Sequence, residues 1–104
     1  MDDMTIAPAR RPRYSTWALR ALLTLAIHEA RRPMSVAQLV DVVAFEGIDV
    51  DGRPSKVISD LLRTEVAKGW VVRVGRGVYA PGRLPKSSKS RLRARLRRAR
   101  AAHR

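Results

Sequence analysis

Lys68-Gly69-Trp70-Val71-Val72-Arg73-Val74-Gly75-Arg76-Gly77-Val78-Tyr79-Ala80-Pro81-Gly82 is the segment in which the chain changes its period. Before Gly69 the apolar residues recur at helical spacing. From Trp70 onward β-rich runs, 70–74 and 78–80, flank Gly75-Arg76-Gly77, and the spacing drops to that of a strand. A three-residue connection containing two glycines supplies the positive φ values that a tight hairpin needs, and Pro81-Gly82 ends it. Arg73 alternates with valines expected to be buried, so it is expected to face outward.

Three helices are predicted upstream. Val57, Ile58, Leu61, Leu62 and Val66 form an apolar stripe on a helix over 54–68. Pro54 suits its first turn, where the missing N–H costs nothing. Ser55, Lys56, Ser59, Asp60, Arg63 and Thr64 face the other way, and Gly69 is the expected left-handed cap. Residues 48–53 read as a polar turn anchored by Ile48 and Val50. Ser35 and Gln38 fit a capping box, which opens a helix striped by Val36, Leu39, Val40 and Val43 and closed by Gly47. A first helix over 17–31 is capped by Ser15 or Thr16 and carries Ala18, Leu22, Leu25 and Ala26 on one face. Arg31 and Arg32 complement its dipole, and Pro33 stops it. The expected fold is therefore mainly α with a small β-hairpin (α+β), a three-helix core over 15–82. A flexible basic arm over 1–14 and an Arg-rich tail over 83–104 flank it.

Length and charge bound the function. A chain of 104 residues suits one domain, and 45% hydrophobic residues can build a core. Without cysteine there is no disulfide framework, thiolate nucleophile or Cys-ligated zinc. The longest apolar stretch, 18–27, is broken by Arg20 and Thr24 and falls short of the roughly twenty residues of a membrane span. Met1-Asp2-Asp3 is acidic where a signal peptide is basic, so a cytoplasmic, nucleoid-associated location is expected. The formal charge is +13, and it is unevenly placed: all nine acids lie between Asp2 and Glu65, whereas residues 66–104 hold thirteen basic side chains. Such repulsion calls for a polyanion, nucleic acid first and an anionic membrane surface second. A GC-rich genome would account for part of the excess of 18 Arg over 4 Lys, but not for the missing acids. Within the tail, 84–90 reads as a Pro/Ser-rich linker. Residues 91–102 carry Leu92, Leu96 and Ala99 on one helical face, expected to stay frayed until a polyanion neutralises the arginines.

Helix, helix, turn, helix and glycine-tipped hairpin together resemble a winged helix-turn-helix domain over 15–81. The residues that carry the likeness are Val57-Ile58-Ser59-Asp60-Leu61-Leu62 and the segment from Lys68 to Tyr79. The wing segment is also similar to the N-terminal domain of abortive-infection type IV antitoxins. The resemblance implies double-stranded DNA as partner, with helix 54–68 in the major groove and wing 73–78 on an adjacent groove. The residue types agree with that. Ser55, Lys56, Ser59 and Arg63 lie about a turn apart on the outer face, and Arg63 is the candidate for a bidentate guanine contact. Asp60 pairs with Arg63 or Lys56, Arg73 meets phosphate, and Arg76 at the wing tip meets minor groove or phosphate. Arg10, Arg11 and Arg13 are similar to minor-groove arms. Arg91, Arg93, Arg95, Arg97, Arg98 and Arg100 are expected to bind phosphate without reading sequence. Trp70 and Tyr79 are read as caps on the hairpin core.

No catalytic constellation accompanies these residues, and neither a cofactor nor enzyme activity is expected. His28 and His103 are remote in sequence and lack metal-ligand spacing, and Asp49 and Asp51 are not followed by the later ligands of a calcium loop. The functions left are a sequence-specific transcriptional regulator such as a phage or actinobacterial repressor, an architectural nucleoid-associated protein, and a winged-helix interaction adaptor with an acidic partner. RNA association ranks below these for want of aromatic platforms. High specificity implies a homodimer, joined through helix 17–31 or the C-terminal segment.

Overall fold

A computed structural model describes residues 11–103. Helix α1 (Thr16–Ala30) opens where Ser15 Oγ accepts the Ala18 N–H at 3.1 Å, and ends with Arg31 in the left-handed region, two residues before Pro33. A two-residue strand, β1 (Met34–Ser35), follows, and no periodicity announces it. Ser35 then caps α2 (Val36–Glu46) reciprocally: its hydroxyl accepts the Gln38 N–H while its own N–H donates to Gln38 Oε1. Gly47, at φ 77°, closes α2. Helix α3 (Pro54–Ala67) carries proline in its first turn, and the chain leaves it through Gly69 at φ 80°. Strands β2 (Val71–Gly75) and β3 (Val78–Pro81) and helix α4 (Lys86–Ala102) follow.

Among the described residues the architecture is mainly helical, four helices beside a three-stranded antiparallel sheet of order β1-β3-β2. Pairing runs Met34 with Tyr79 on one side of β3, and Val72 with Ala80 and Arg73 with Tyr79 on the other. The hairpin turn is shorter than the glycine spacing suggests. Strand β2 continues to Gly75, which faces Val78 after an irregularity beyond Arg73, and only Gly77 of the two glycines takes a positive φ, 66°. The valines also differ from expectation. Val71 is buried, but Val72 and Val74 are 45% and 54% exposed, because alternation places them on the face of the strand opposite Val71, and Arg73 is exposed as well.

Both flanks of the expected three-helix core are drawn into the structure. Lys86 to Ser90, read as linker, forms the first turn of α4, and Leu92 and Leu96 are buried against the same core as Leu23, Ile27, Leu39, Ile58 and Leu62. Burial of that stripe against α1 opposes the repulsion between the arginines. At the other end Pro12 O accepts the Asp49 N–H at 2.9 Å, and the Tyr14 ring stacks on His103 at 5.7 Å. Residues 11–14 therefore dock on the core; the rest of the expected arm, Arg10 included, lies outside the described residues.

One node joins α1, α3 and the hairpin. The Glu65 carboxyl, 1% exposed, accepts from Thr24 Oγ1 at 3.1 Å, while Arg20 Nε and Lys68 Nζ lie 3.9 and 3.6 Å from its other oxygen. Glu65 O accepts the Trp70 N–H at 3.1 Å, and Trp70 O accepts from Gly82 N–H at 3.0 Å and from His28 Nε2–H at 2.7 Å. Gly82 is needed there because a Cβ would collide with Gly69 O and lie 2.8 Å from Trp70 C. Gly82→Ala should therefore lower stability by about 1–3 kcal/mol in urea unfolding. Leu92→Ala should cost about 2–5 kcal/mol in the same measurement if α4 is part of the core, and next to nothing if it is a dispensable tail.

Candidate nucleic-acid interface

Residues 59, 63 and 66 are spaced so that they follow one another along one side of α3, while Ile58 and Leu62 turn to the core. The hairpin lies opposite. Ser59, Arg63 and Val66 of α3, Arg73 of β2, Arg76 and Gly77 of the turn and Tyr79 of β3 line one cleft of about 520 Å³. Three guanidinium groups converge on it and none of its lining residues is acidic. Arg63 is held loosely, with its side chain 83% exposed. Tyr79 is buried and forms the floor, whereas Arg73 and Arg76 are exposed at the rim.

Asp60, which follows Ser59 in sequence, is neutralised locally: Lys56 Nζ lies 3.1 Å and Arg63 Nη2 3.8 Å from its two oxygens. The Ser59 hydroxyl donates to Ser55 O at 2.9 Å, which leaves its oxygen free to accept. Ser55 and Lys56 are exposed on the first turn of α3, where the helix dipole favours an anion. These two extend the cationic face beyond the cleft.

The remaining basic candidates are dispersed. Arg13 is paired with Asp51 at 2.6 Å, and Arg11 is exposed beside the α2–α3 connection. Arg91 Nη2 donates to Ser88 Oγ at 3.4 Å, and Arg95 lies 5.1 Å from the Trp17 ring centroid, near Arg20 and Lys68. Arg93, Arg97 and Arg100 line a second groove, against α1 and α2, and Arg98 is exposed. Arg100 is committed to a structural contact: its Nε and Nη2 donate to Glu46 at 2.7 and 2.9 Å, and Tyr14 OH donates to the same carboxyl at 2.6 Å. So α4 does not form one continuous arginine strip with α3.

Glu65 and Thr24 had no place among the sequence candidates, although they hold the cleft together. Both lie on buried helix faces, where a polar residue signals a partner across the interface. Among the described residues no group of His, Asp and Glu forms a metal site, and no helix is long and apolar enough to cross a membrane. No protein-family model matches the chain, and neither a curated protein nor a solved structure matches it significantly.

The Tyr14–Glu46–Arg100 contact has a pH signature. Burial, then the hydrogen bond to Glu46, pushes the Tyr14 hydroxyl from its ordinary 10.0 to about 12, while the Arg100 hydrogen bond holds Glu46 below its ordinary 4.5. The Tyr14 contribution to stability is complete below pH 10.0 and is lost as pH rises through about 12. The Glu46 contribution is present above pH 4.5 and is lost as pH falls through its lowered folded value. In a Tyr79→Phe background, phenolate absorbance should report a midpoint near 12, moving down towards 10.0 on Glu46→Gln.

Proposed function

We propose that this chain is a winged-helix protein that binds double-stranded DNA and acts as a sequence-specific transcriptional regulator. In this reading α3 enters the major groove and the β2–β3 hairpin is the wing on an adjacent groove. The observation that carries the reading is the convergence of Arg63, Arg73 and Arg76 on one acid-free cleft, although Arg76 lies thirteen positions after Arg63 in sequence. A phosphate backbone is met by several cations presented together, and base edges are read by side chains projecting from a rigid helix. Arg63 is long enough and exposed enough to reach a guanine edge, while Arg73 and Arg76 meet backbone. Exposed arginines of α4, Arg98 among them, add affinity that does not depend on sequence. An architectural role would use the same surface with the recognition helix only positioning the chain; the two roles differ in specificity ratio.

Selection from a randomised duplex pool at about 0.15 M salt tests the proposal, because phosphate-only binding is already weakened there. One enriched motif is expected, lost on Arg63→Ala at a discrimination cost of about 1–3 kcal/mol. Arg73→Ala and Arg76→Ala should instead weaken binding evenly across sequences and each reduce the salt slope by about 1. Tight binding without enrichment moves the assignment to an architectural protein, and absence of duplex binding overturns it.

A further inference from the structure

We propose that the groove between α1, α2 and α4 is a self-association surface that receives a second copy of this chain. The proposal does not rest on DNA binding. The groove holds about 860 Å³, and Leu25 and Leu96 contribute to its apolar lining. At its edge stands Phe45, 95% exposed, the most exposed large hydrophobic side chain among the described residues. A ring that gains nothing from its own fold is the kind of anchor that fills a partner's pocket.

Charge identifies the occupant. Glu29, Asp41 and Glu46 line this groove opposite Arg93, Arg97 and Arg100, so its formal charge is balanced in a chain of net charge +13 and it offers a polyanion no net attraction. The acids belong to α1 and α2, whereas the cations on the other side, Arg93 and Arg97, belong to α4. A surface with an acidic wall, an apolar floor and a basic wall is complementary to itself under a two-fold rotation. Rotation brings the Asp41 side of one copy against the Arg97 side of the other, twice, with each Phe45 in the partner's groove. The cleft between α3 and the hairpin shares no lining residue with this groove and stays open.

Sedimentation of the full chain across a concentration series, at about 0.15 M salt to screen the long-range repulsion, reads the outcome directly. The 11.7 kDa chain should pass to a species of twice that mass as concentration rises. Phe45→Ser should raise the dissociation constant at least about tenfold, as expected for loss of a central anchor. Asp41→Arg and Arg97→Asp should each stay monomeric alone. Mixed together they should form a heterodimer, because both contacts then pair unlike charges. Circular dichroism melts confirm that each variant is folded. A wild-type chain that is monomeric throughout, a dimer indifferent to these substitutions, or a mixture that stays monomeric would each overturn the proposal.

Discussion

A carboxyl group at 1% exposure has to find its partners inside the protein, and the fold is arranged around the way Glu65 does so. Thr24 donates to it from α1, Arg20 and Lys68 flank it, and the backbone carbonyl of the same residue accepts the Trp70 N–H at the start of the hairpin. The Trp70 carbonyl then takes Gly82 at the far end of the hairpin and His28 from α1. Those bonds fix the rotation of α3 about its own axis. Ile58 and Leu62 stay in the core, and Ser59 and Arg63 stay turned toward the hairpin. They also fix where the hairpin stands, so Arg73 and Arg76 close the other side of the cleft. Substitution of Glu65 alone by an apolar residue of similar volume would leave the half-buried Arg20 guanidinium and the buried Thr24 hydroxyl without their partner, so it should destabilise the chain as well as loosen the relative placement of α3 and the hairpin.

The charge asymmetry along the chain becomes an asymmetry between surfaces. Cations without acids line the cleft of α3 and the hairpin, whereas the groove of α1, α2 and α4 mixes both signs. Helix α4 takes part in both effects. Its leucines complete the core, its Arg100 ties Glu46 and through it Tyr14, and its outer arginines remain exposed. A segment that composition alone presents as a polyelectrolyte tail is thus also a packing element. Its helix is held by burial of Leu92 and Leu96 rather than by neutralisation of its arginines.

Local chemistry was legible in the sequence wherever a few neighbouring residues suffice to set the backbone. The Ser35–Gln38 capping box, Pro54 in the first turn of α3, and the left-handed glycines at 47 and 69 all need only their own neighbourhood. The hairpin was legible for the same reason, apart from its turn. Features that depend on distant partners were not. Strand β1 exists because β3, more than forty residues later, offers it hydrogen bonds. The expected burial of Val72 and Val74 fails because alternation tells which residues share a face and not which face meets the core. The stripe of Leu92 and Leu96 was visible, but its docking depends on a matching apolar surface on α1 that no local pattern reveals. In the candidate site, the outer face of α3 was readable from helical spacing. That Arg73 and Arg76 join it follows from the Glu65–Trp70–Gly82 node, which ties the end of α3 to both ends of the hairpin.

On the proposed DNA-binding function, the cleft of α3 and the hairpin, rather than the arginine-rich helix α4, is the surface that meets the duplex. Amide chemical shifts recorded while a duplex is titrated into isotope-labelled protein test it residue by residue. The largest shifts are expected on 55–64 and 71–79, with those lining the groove of Leu25, Phe45 and Leu96 unmoved. Shifts confined to 86–103, or spread evenly over every exposed arginine, would contradict it.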